Sequence, residues 1–448
     1  MKPQSTLLLV SFGLVANGCL LPGEIDRQIN HQNPRTAKPA TGKRQLDFQD
    51  FPIGKGDRFN GGQYAPLGLG TDNRDLKSIL NVGEIESGLK GLAKAYKDVS
   101  VFTAPHKTFE NRELHGATIG NPRVFIQSGI HARERGGPDN VLYFISDLLA
   151  ARANGTGISY GKQNYNNKQV EVALSAGIAF LPLVNPDGVA YDQSTDTCWR
   201  KNRNTKSASE DDASTIGVDL NRNFAVMWDY KRIFNLGANL NAVASDDPSS
   251  QVFHGTAPLS EPETQNVDWL VKQHSQLSWF LDLHSFGADI LYAWGDDDTQ
   301  TTDPRQSFTN KSYDGKRGFL GNDPANSQYK EYIEKADLDA QVALSKRMGS
   351  AMNRAGTVRY EPEPSVNLYP TAGDSTDHML GQYYGHVCDA NRIQALTVEF
   401  GDSTDSRNCP FYPDNRAYHE NLRQVAVGLM ELLLTAAGKD GEKKVYKC

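Results

Sequence analysis

Apolar positions along this chain switch between the helical and the strand period. Residues 82–96 and the stretch around 140–151 repeat apolar side chains at helical spacing. Between them, residues 123–130 (RVFIQSGI) read as a strand. Residues 176–184 (AGIAFLPLV) form a nearly continuous apolar run, which suits a buried strand, and Asn185-Pro186-Asp187-Gly188 after it carries a turn signature. Residues 262–274 predict a helix opened by Ser260, and residues 279–283 (WFLDL) and 395–400 (ALTVEF) predict two more short buried strands. A last amphipathic helix is expected over 417–437, stopped by Gly438. Buried strands separated by helices predict an α/β fold, with a mixed, mostly parallel twisted sheet covered by helices on both faces of a single domain.

The two ends break this pattern. Residues 1–19 read as a secretory signal, with Lys2 ahead of an apolar stretch (7–16) too short to span a bilayer. Ala16-Asn17-Gly18-Cys19 vaguely resembles a lipoprotein site, but Asn17 fits it poorly, so anchoring at Cys19 is the minor reading. Residues 20–75 are rich in Pro, Gly, Asn and Gln and read as a flexible leader or short pro-segment, with Lys43-Arg44 as a dibasic cleavage point or an ordinary charge pair. The folded unit is expected over 76–438 and a short tail over 439–448. Residues 296–329, rich in Asp, Thr, Asn and Gly, look like a surface insertion.

Composition narrows the choice. Over 448 residues, 47 Lys and Arg against 54 Asp and Glu give a net charge of −7, which argues against nucleic acid or an anionic membrane as the main partner. With 38% hydrophobic residues and 40 glycines the chain is globular, and it has no apolar run long enough for a membrane-spanning helix. Once Cys19 leaves with the signal, Cys198, Cys388, Cys409 and Cys448 remain. An even number in an exported chain predicts two disulfides, in any of three connectivities, and the absence of Cys-x-x-Cys spacing excludes a zinc finger. Asn154 and Asn310 begin glycosylation sequons, which carry meaning only in a eukaryotic cell. The expectation is a secreted monomer.

Chemistry collects just after the predicted strands, where open α/β sheets place their sites. His131-Ala132-Arg133-Glu134 follows one strand, His284 follows another, and Glu399 lies inside the last apolar run. Two histidines and a carboxylate make a three-ligand zinc site with its fourth position open, and Glu399 suits proton transfer beside it. Each piece alone has a bland reading. His-x-x-Glu arises readily by chance among ten histidines, a lone His after a strand is more often a hydrogen-bonded structural residue, and Glu399 also reads as a paired core carboxylate. No His-Glu-x-x-His occurs, which excludes the common one-helix metalloprotease design. Between the two histidines lie Trp199-Arg200-Lys201-Asn202-Arg203 and Gly217-Val218-Asp219-Leu220-Asn221-Arg222-Asn223. These read either as solvated basic loops or as a pocket where planar guanidinium groups meet a carboxylate and an oxyanion.

Taken in order, HARE (131–134), NPDG (185–188), WRKNR (199–203), GVDLNRN (217–223), FHG with SEPET (253–264), LHS (283–285), Tyr369 with GDSTD (373–377) and TVEFGD (397–402) resemble the zinc carboxypeptidases of the pancreatic A/B type. The resemblance covers about residues 76–438. It implies one zinc ion held by His131, Glu134 and His284, with Glu399 as general base and acid and Arg200 as oxyanion stabiliser. It further implies that Asn221 and Arg222 hold the substrate's terminal carboxylate, that Tyr369 closes over it, that Asp219 orients His131 and that Arg133 serves an outer subsite. The implied substrates are peptides or proteins with a free C-terminus.

Departures from the family pattern fall around the outer subsites: Arg135, Thr197 and Phe286 stand where Trp, Arg and Tyr are frequent. In the pocket for the terminal side chain, Thr376 commits to neither apolar nor basic residues, while Asp374 pairs with Lys or Arg if it points inward and is a solvent-facing turn residue if it does not. The expectation is mixed specificity, with weak latency from a leader too poor in apolar residues to form a domain. Competing readings are a same-fold amidohydrolase or cell-wall peptide peptidase, and an inert binding scaffold. The retention of His131, Glu134, His284 and Glu399 argues against the scaffold.

Overall fold

The computed structural model describes residues 20, 21, 24, 49–72, 74–321, 323–402, 409–438 and 444–448. The expected signal segment and Lys43-Arg44 lie outside the described residues.

Eight strands form the main sheet: β1 (Val99–Thr103), β2 (His115–Ile119), β3 (Val124–Ser128), β4 (Ile178–Leu181), β5 (Trp279–His284), β6 (Asp289–Tyr292), β7 (Glu361–Pro364) and β8 (Gln394–Glu399). Their spatial order is β1-β2-β4-β3-β5-β8-β6-β7. The central pairs β4-β3, β3-β5 and β5-β8 are parallel, as is β6-β7 at one edge, while β1-β2, β2-β4 and β8-β6 are antiparallel. This is the mixed, mostly parallel sheet expected from the apolar runs.

Period-2 alternation decides what each face carries. Val124, Ile126, Leu281, Leu283, Leu396 and Val398 enter a core built with the helices Gly137–Asn154, Lys335–Ala355 and Asn415–Ala437. Phe125, Phe280 and Ala395 face a second core with the helices Pro262–Gln273 and Ser375–Tyr384. By the same alternation Asp282, His284, Thr397 and Glu399 lie on this second face, toward the C-terminal ends of the parallel strands. Placement of the site therefore follows from strand parity.

Three expectations change. Asn185-Pro186-Asp187-Gly188 opens a helix, Pro186–Thr195, rather than a simple turn: the Asn185 side chain accepts from the Gly188 N–H, and Pro186 fills the first-turn position that needs no donor. Ser260 is not the cap of the next helix; Glu261 is at that position, and the Ser260 hydroxyl donates to the Glu261 carboxylate. The chain also joins the core well before residue 76. Phe51 and Phe59 are buried in the main cluster, Ile53 bridges Ile79, and Arg58 pairs with buried Glu84 at 2.7 Å.

The segment expected as a surface insertion is anchored from within. Arg317 is buried between Asp296 and Glu331, and its guanidinium stacks on Tyr329. Disulfides join Cys198 to Cys409 and Cys388 to Cys448, which selects one of the three connectivities. Among the described residues no helix is long and apolar enough to cross a membrane.

Candidate metal centre and substrate cleft

Three remote segments meet at the C-terminal edge of the sheet. His131 and Glu134 sit in the loop after β3, and His284 ends β5, where it is in register with Glu399 of β8. All four side chains are buried. The Nδ1 atoms of His131 and His284 lie 3.1 Å apart, and Glu134 places one oxygen 2.6 Å from the first and the other 3.1 Å from the second.

The outer ring nitrogens explain this convergence. His131 Nε2 lies 3.1 Å from Asp219 Oδ1, and His284 Nε2 lies 3.1 Å from Asp282 Oδ2. Each carboxylate fixes a proton on Nε2 and leaves the Nδ1 lone pair aimed inward. Two lone pairs and a carboxylate directed at one point repel unless a cation lies between them. The nitrogen and oxygen donors, three in number, fit a zinc ion with one position open. Burial alone would raise the Glu134 pKa, but the two imidazoles outweigh it and hold the carboxyl well below the usual range.

Around this corner the cleft is lined by His131, Arg200, Asn221, Arg222, Tyr369, Asp374 and Glu399. Arg200 donates from Nε and Nη2 to Asp219 Oδ2 at 3.2 and 2.9 Å, so one carboxylate holds both a histidine and a guanidinium. Burial works to raise the Asp219 pKa, and Arg200 and His131 overcome it and keep the group ionised. Asp219 also caps the short helical turn Leu220–Arg222 by accepting from the Asn221 N–H. Arg222 is buried and donates to the carbonyls of Asn221 and Ala242 at 2.7 and 3.0 Å. The Tyr369 ring lies 5.8 Å from its guanidinium carbon.

The two pocket candidates separate. Thr376 is buried, with its hydroxyl 2.7 Å from that of Thr397. Asp374 faces inward, so the solvent-facing alternative fails. It caps the helix Ser375–Tyr384 by accepting from the Asp377 N–H, and its other oxygen accepts from the Thr371 hydroxyl at 2.9 Å. Burial pushes the Asp374 carboxyl above its ordinary range, despite those hydrogen bonds and nearby Arg222. Arg133 is buried farther out, 4.3 Å above the Phe411 ring, beside a wall of Phe286, Phe411, Tyr412 and the Cys198–Cys409 disulfide. Arg135 is tied to Asp192 and Asp196 and stacks on Tyr412.

Sequence reasoning missed Asp282 and its partners. Gln127 and Ser375 both donate to Asp282 Oδ2, at 2.7 and 2.6 Å. The available signal was an acidic residue two before His284, which shares its strand face and would be costly to bury without a partner. Thr371, Leu291 and Leu368 in the pocket wall had no such signal.

Comparison with known proteins agrees with this geometry. The zinc carboxypeptidase family model matches residues 85–424. Carboxypeptidase B of Astacus astacus is 28% identical over 315 residues, covering 69% of this chain and 84% of that protein. Carboxypeptidase B of Helicoverpa zea is 30% identical over 266 residues, covering 57% of this chain and 54% of that protein, so the chain spans about half the length of this relative. The crystal structure of carboxypeptidase A from Helicoverpa armigera shares the fold, with a TM-score of 0.56 and 23% identity over 81% of this chain and 75% of that one. The donor set, the order of motifs and a family match over most of the folded unit lead to one conclusion: the chain belongs to the zinc carboxypeptidase family.

Proposed function

We propose that this chain is a secreted, zinc-dependent exopeptidase that removes the C-terminal residue, apolar or basic, from peptides and proteins, acting as a monomer. The observation that carries the reading is a single cleft holding an inward-facing His131–Glu134–His284 donor set, the Glu399 carboxylate and two buried guanidinium groups. Two disulfides support export.

Bound zinc supplies Lewis-acid polarisation of the scissile carbonyl and of the attacking water. Arg222, held by two backbone carbonyls, receives the substrate's terminal carboxylate with Asn221, whose side-chain oxygen is already committed to the Ser375 N–H. A peptide with an amidated end cannot neutralise that guanidinium, which makes the reaction an exopeptidase step. Tyr369 closes beside Arg222 over the bound terminus. Glu399 takes the proton from water and returns it to the leaving amine. Arg200, its plane fixed by Asp219, donates to the oxygen where negative charge develops. Asp374 at the pocket wall attracts a terminal Lys or Arg, while Leu291 and Leu368 serve apolar residues.

The test is release of C-terminal residues from paired free and amidated peptides ending in Leu, Phe, Lys or Arg, with and without a chelator. Release from free ends only, abolished by chelation, is expected. Release from amidated ends would remove the carboxylate role from Arg222, and strong preference for one side-chain class would overturn mixed specificity.

A further inference from the structure

Ser375 is buried at the first position of the helix Ser375–Tyr384, and two functional elements meet on it. Its N–H, one of the donors that the first turn of a helix leaves free, donates to Asn221 Oδ1 at 2.8 Å. Its hydroxyl donates to Asp282 Oδ2 at 2.6 Å, and that same oxygen lies 3.1 Å from His284 Nε2. Gln127 of β3 also donates to Oδ2, at 2.7 Å, whereas Asp282 Oδ1 is buried with no hydrogen-bond partner among the described residues. The direction of this carboxylate is therefore set by the donors gathered on one oxygen. The Asn221 amide nitrogen comes within 3.4 Å of His284 Nε2, so the metal side and the proposed carboxylate-binding side adjoin here. A second tie lies close by, where the Phe224 N–H donates to the Gly373 carbonyl at 2.9 Å.

We infer that Ser375 is a positioning residue that sets the spacing between the metal corner and the group that receives the substrate's terminal carboxylate. An enzyme that removes one residue must hold that carboxylate a single residue away from the bond it cuts. A misplacement of about 1 Å can cost about 10²-fold in rate, so a spacing left to two independently packed loops is a poor guide. In Ser375 the two grips are the backbone nitrogen and the side-chain oxygen of one buried residue. Asn221 and His284 are thereby referred to the same covalent unit. This inference rests on the carboxypeptidase reading for the substrate side and stands apart from it for the metal side.

The test compares the unaltered full chain with Ser375→Ala, Ser375→Thr and Gln127→Met. Each is assayed at saturating zinc on peptides ending in Leu or in β-homoleucine, whose extra methylene moves the carboxylate away from the scissile bond. Zinc affinity is measured separately by chelator competition, and a melting curve reports folding. Ser375→Ala is expected to lower the Leu over β-homoleucine ratio of kcat/KM about tenfold, the size of one hydrogen bond to a charged group, and to weaken zinc binding about tenfold. Ser375→Thr keeps the hydroxyl and should keep both values. Gln127→Met removes a donor from the same Asp282 oxygen without touching Asn221, so it should weaken zinc binding and leave the ratio unchanged. An unchanged ratio in Ser375→Ala would overturn the spacing role, and so would an equal drop in Gln127→Met or in well-folded Ser375→Thr. Unaltered zinc affinity in Ser375→Ala would overturn the link from its hydroxyl through Asp282 to His284. Absence of release by every chain would overturn the carboxypeptidase reading, with the zinc comparison still deciding that link.

Discussion

The metal corner and the acidic floor around Asp374 both bury carboxylates, and they treat them in opposite ways. In the corner each acid has a cation or imidazole in contact: Asp219 meets Arg200 and His131, Asp282 meets His284, and Glu134 meets both imidazoles. Glu134 and Asp219 are held well below the usual range although burial pushes the other way. On the floor, Asp374, Asp377, Asp296 and Glu331 crowd together with Arg317 wedged between two of them. Burial comes first there, and the neighbouring acids add to it, so Asp377 and Glu331 are raised well above their ordinary values. Identical chemical groups are kept charged where fixed charge must orient ligands. Where acids crowd one another instead, burial and like charge shift them toward the protonated form.

Replacing Glu399 with Gln attacks the corner at the group proposed to transfer the proton. We expect kcat to fall about 10²–10⁴-fold with little change in thermal stability, measured by steady-state hydrolysis and a melting curve. Retained activity would give the proton step to another residue. Asp282→Asn and Asp219→Asn test whether ionised partners set the imidazole tautomers. Each should weaken zinc binding by about 10–100-fold in chelator competition, and unchanged affinity would sink the idea. On the floor, Asp374→Asn keeps the helix cap and removes the charge. The ratio of kcat/KM for Lys- and Arg-ended over Leu-ended peptides should drop about tenfold, since one tenfold step corresponds to roughly 1.4 kcal/mol of differential binding.

pH sharpens the same contrast. Asp374 is raised, so it is neutral at low pH and gains its charge only as pH rises through that raised pKa. The Lys/Arg over Leu ratio should therefore climb with pH in the unaltered chain and stay flat in Asp374→Asn. The linked stability runs oppositely: the folded state binds the proton more tightly, so this contribution is present at low pH and lost as pH rises through the folded pKa. The smallest kinetic effect is expected from Thr376→Val. It strands the Thr397 hydroxyl and should cost about 1–3 kcal/mol in denaturant unfolding while leaving the specificity ratio unchanged. A changed ratio would return Thr376 to the selecting surface.

How far the site was legible depended on how local its signals were. His131 and Glu134 lie three residues apart, and Glu399 stood out as a charge inside an apolar strand; both patterns can be read without a fold. Asp374 was recognised as a candidate, but its direction was open because a turn residue faces inward or outward according to what packs behind it. Asp282 was overlooked because a single acid in an apolar run has no visible partner until Gln127 and Ser375 arrive from other segments. Residues 49–72 were misjudged because their polar composition hid Phe51 and Phe59, whose burial depends on surfaces contributed by later elements.

The sequence by itself determined the alternating elements, the parity that sends His284 and Glu399 to one face, the donor types and the family. These follow from local periodicity and from the order of short motifs. Only the tertiary structure decided that His131 and His284, 153 residues apart, bring Nδ1 atoms within 3.1 Å. It likewise selected the pairing of four cysteines and the inward turn of Asp374. Each of these is a meeting of distant segments, set by how the buried faces of the sheet and helices close against one another rather than by any residue's immediate neighbours.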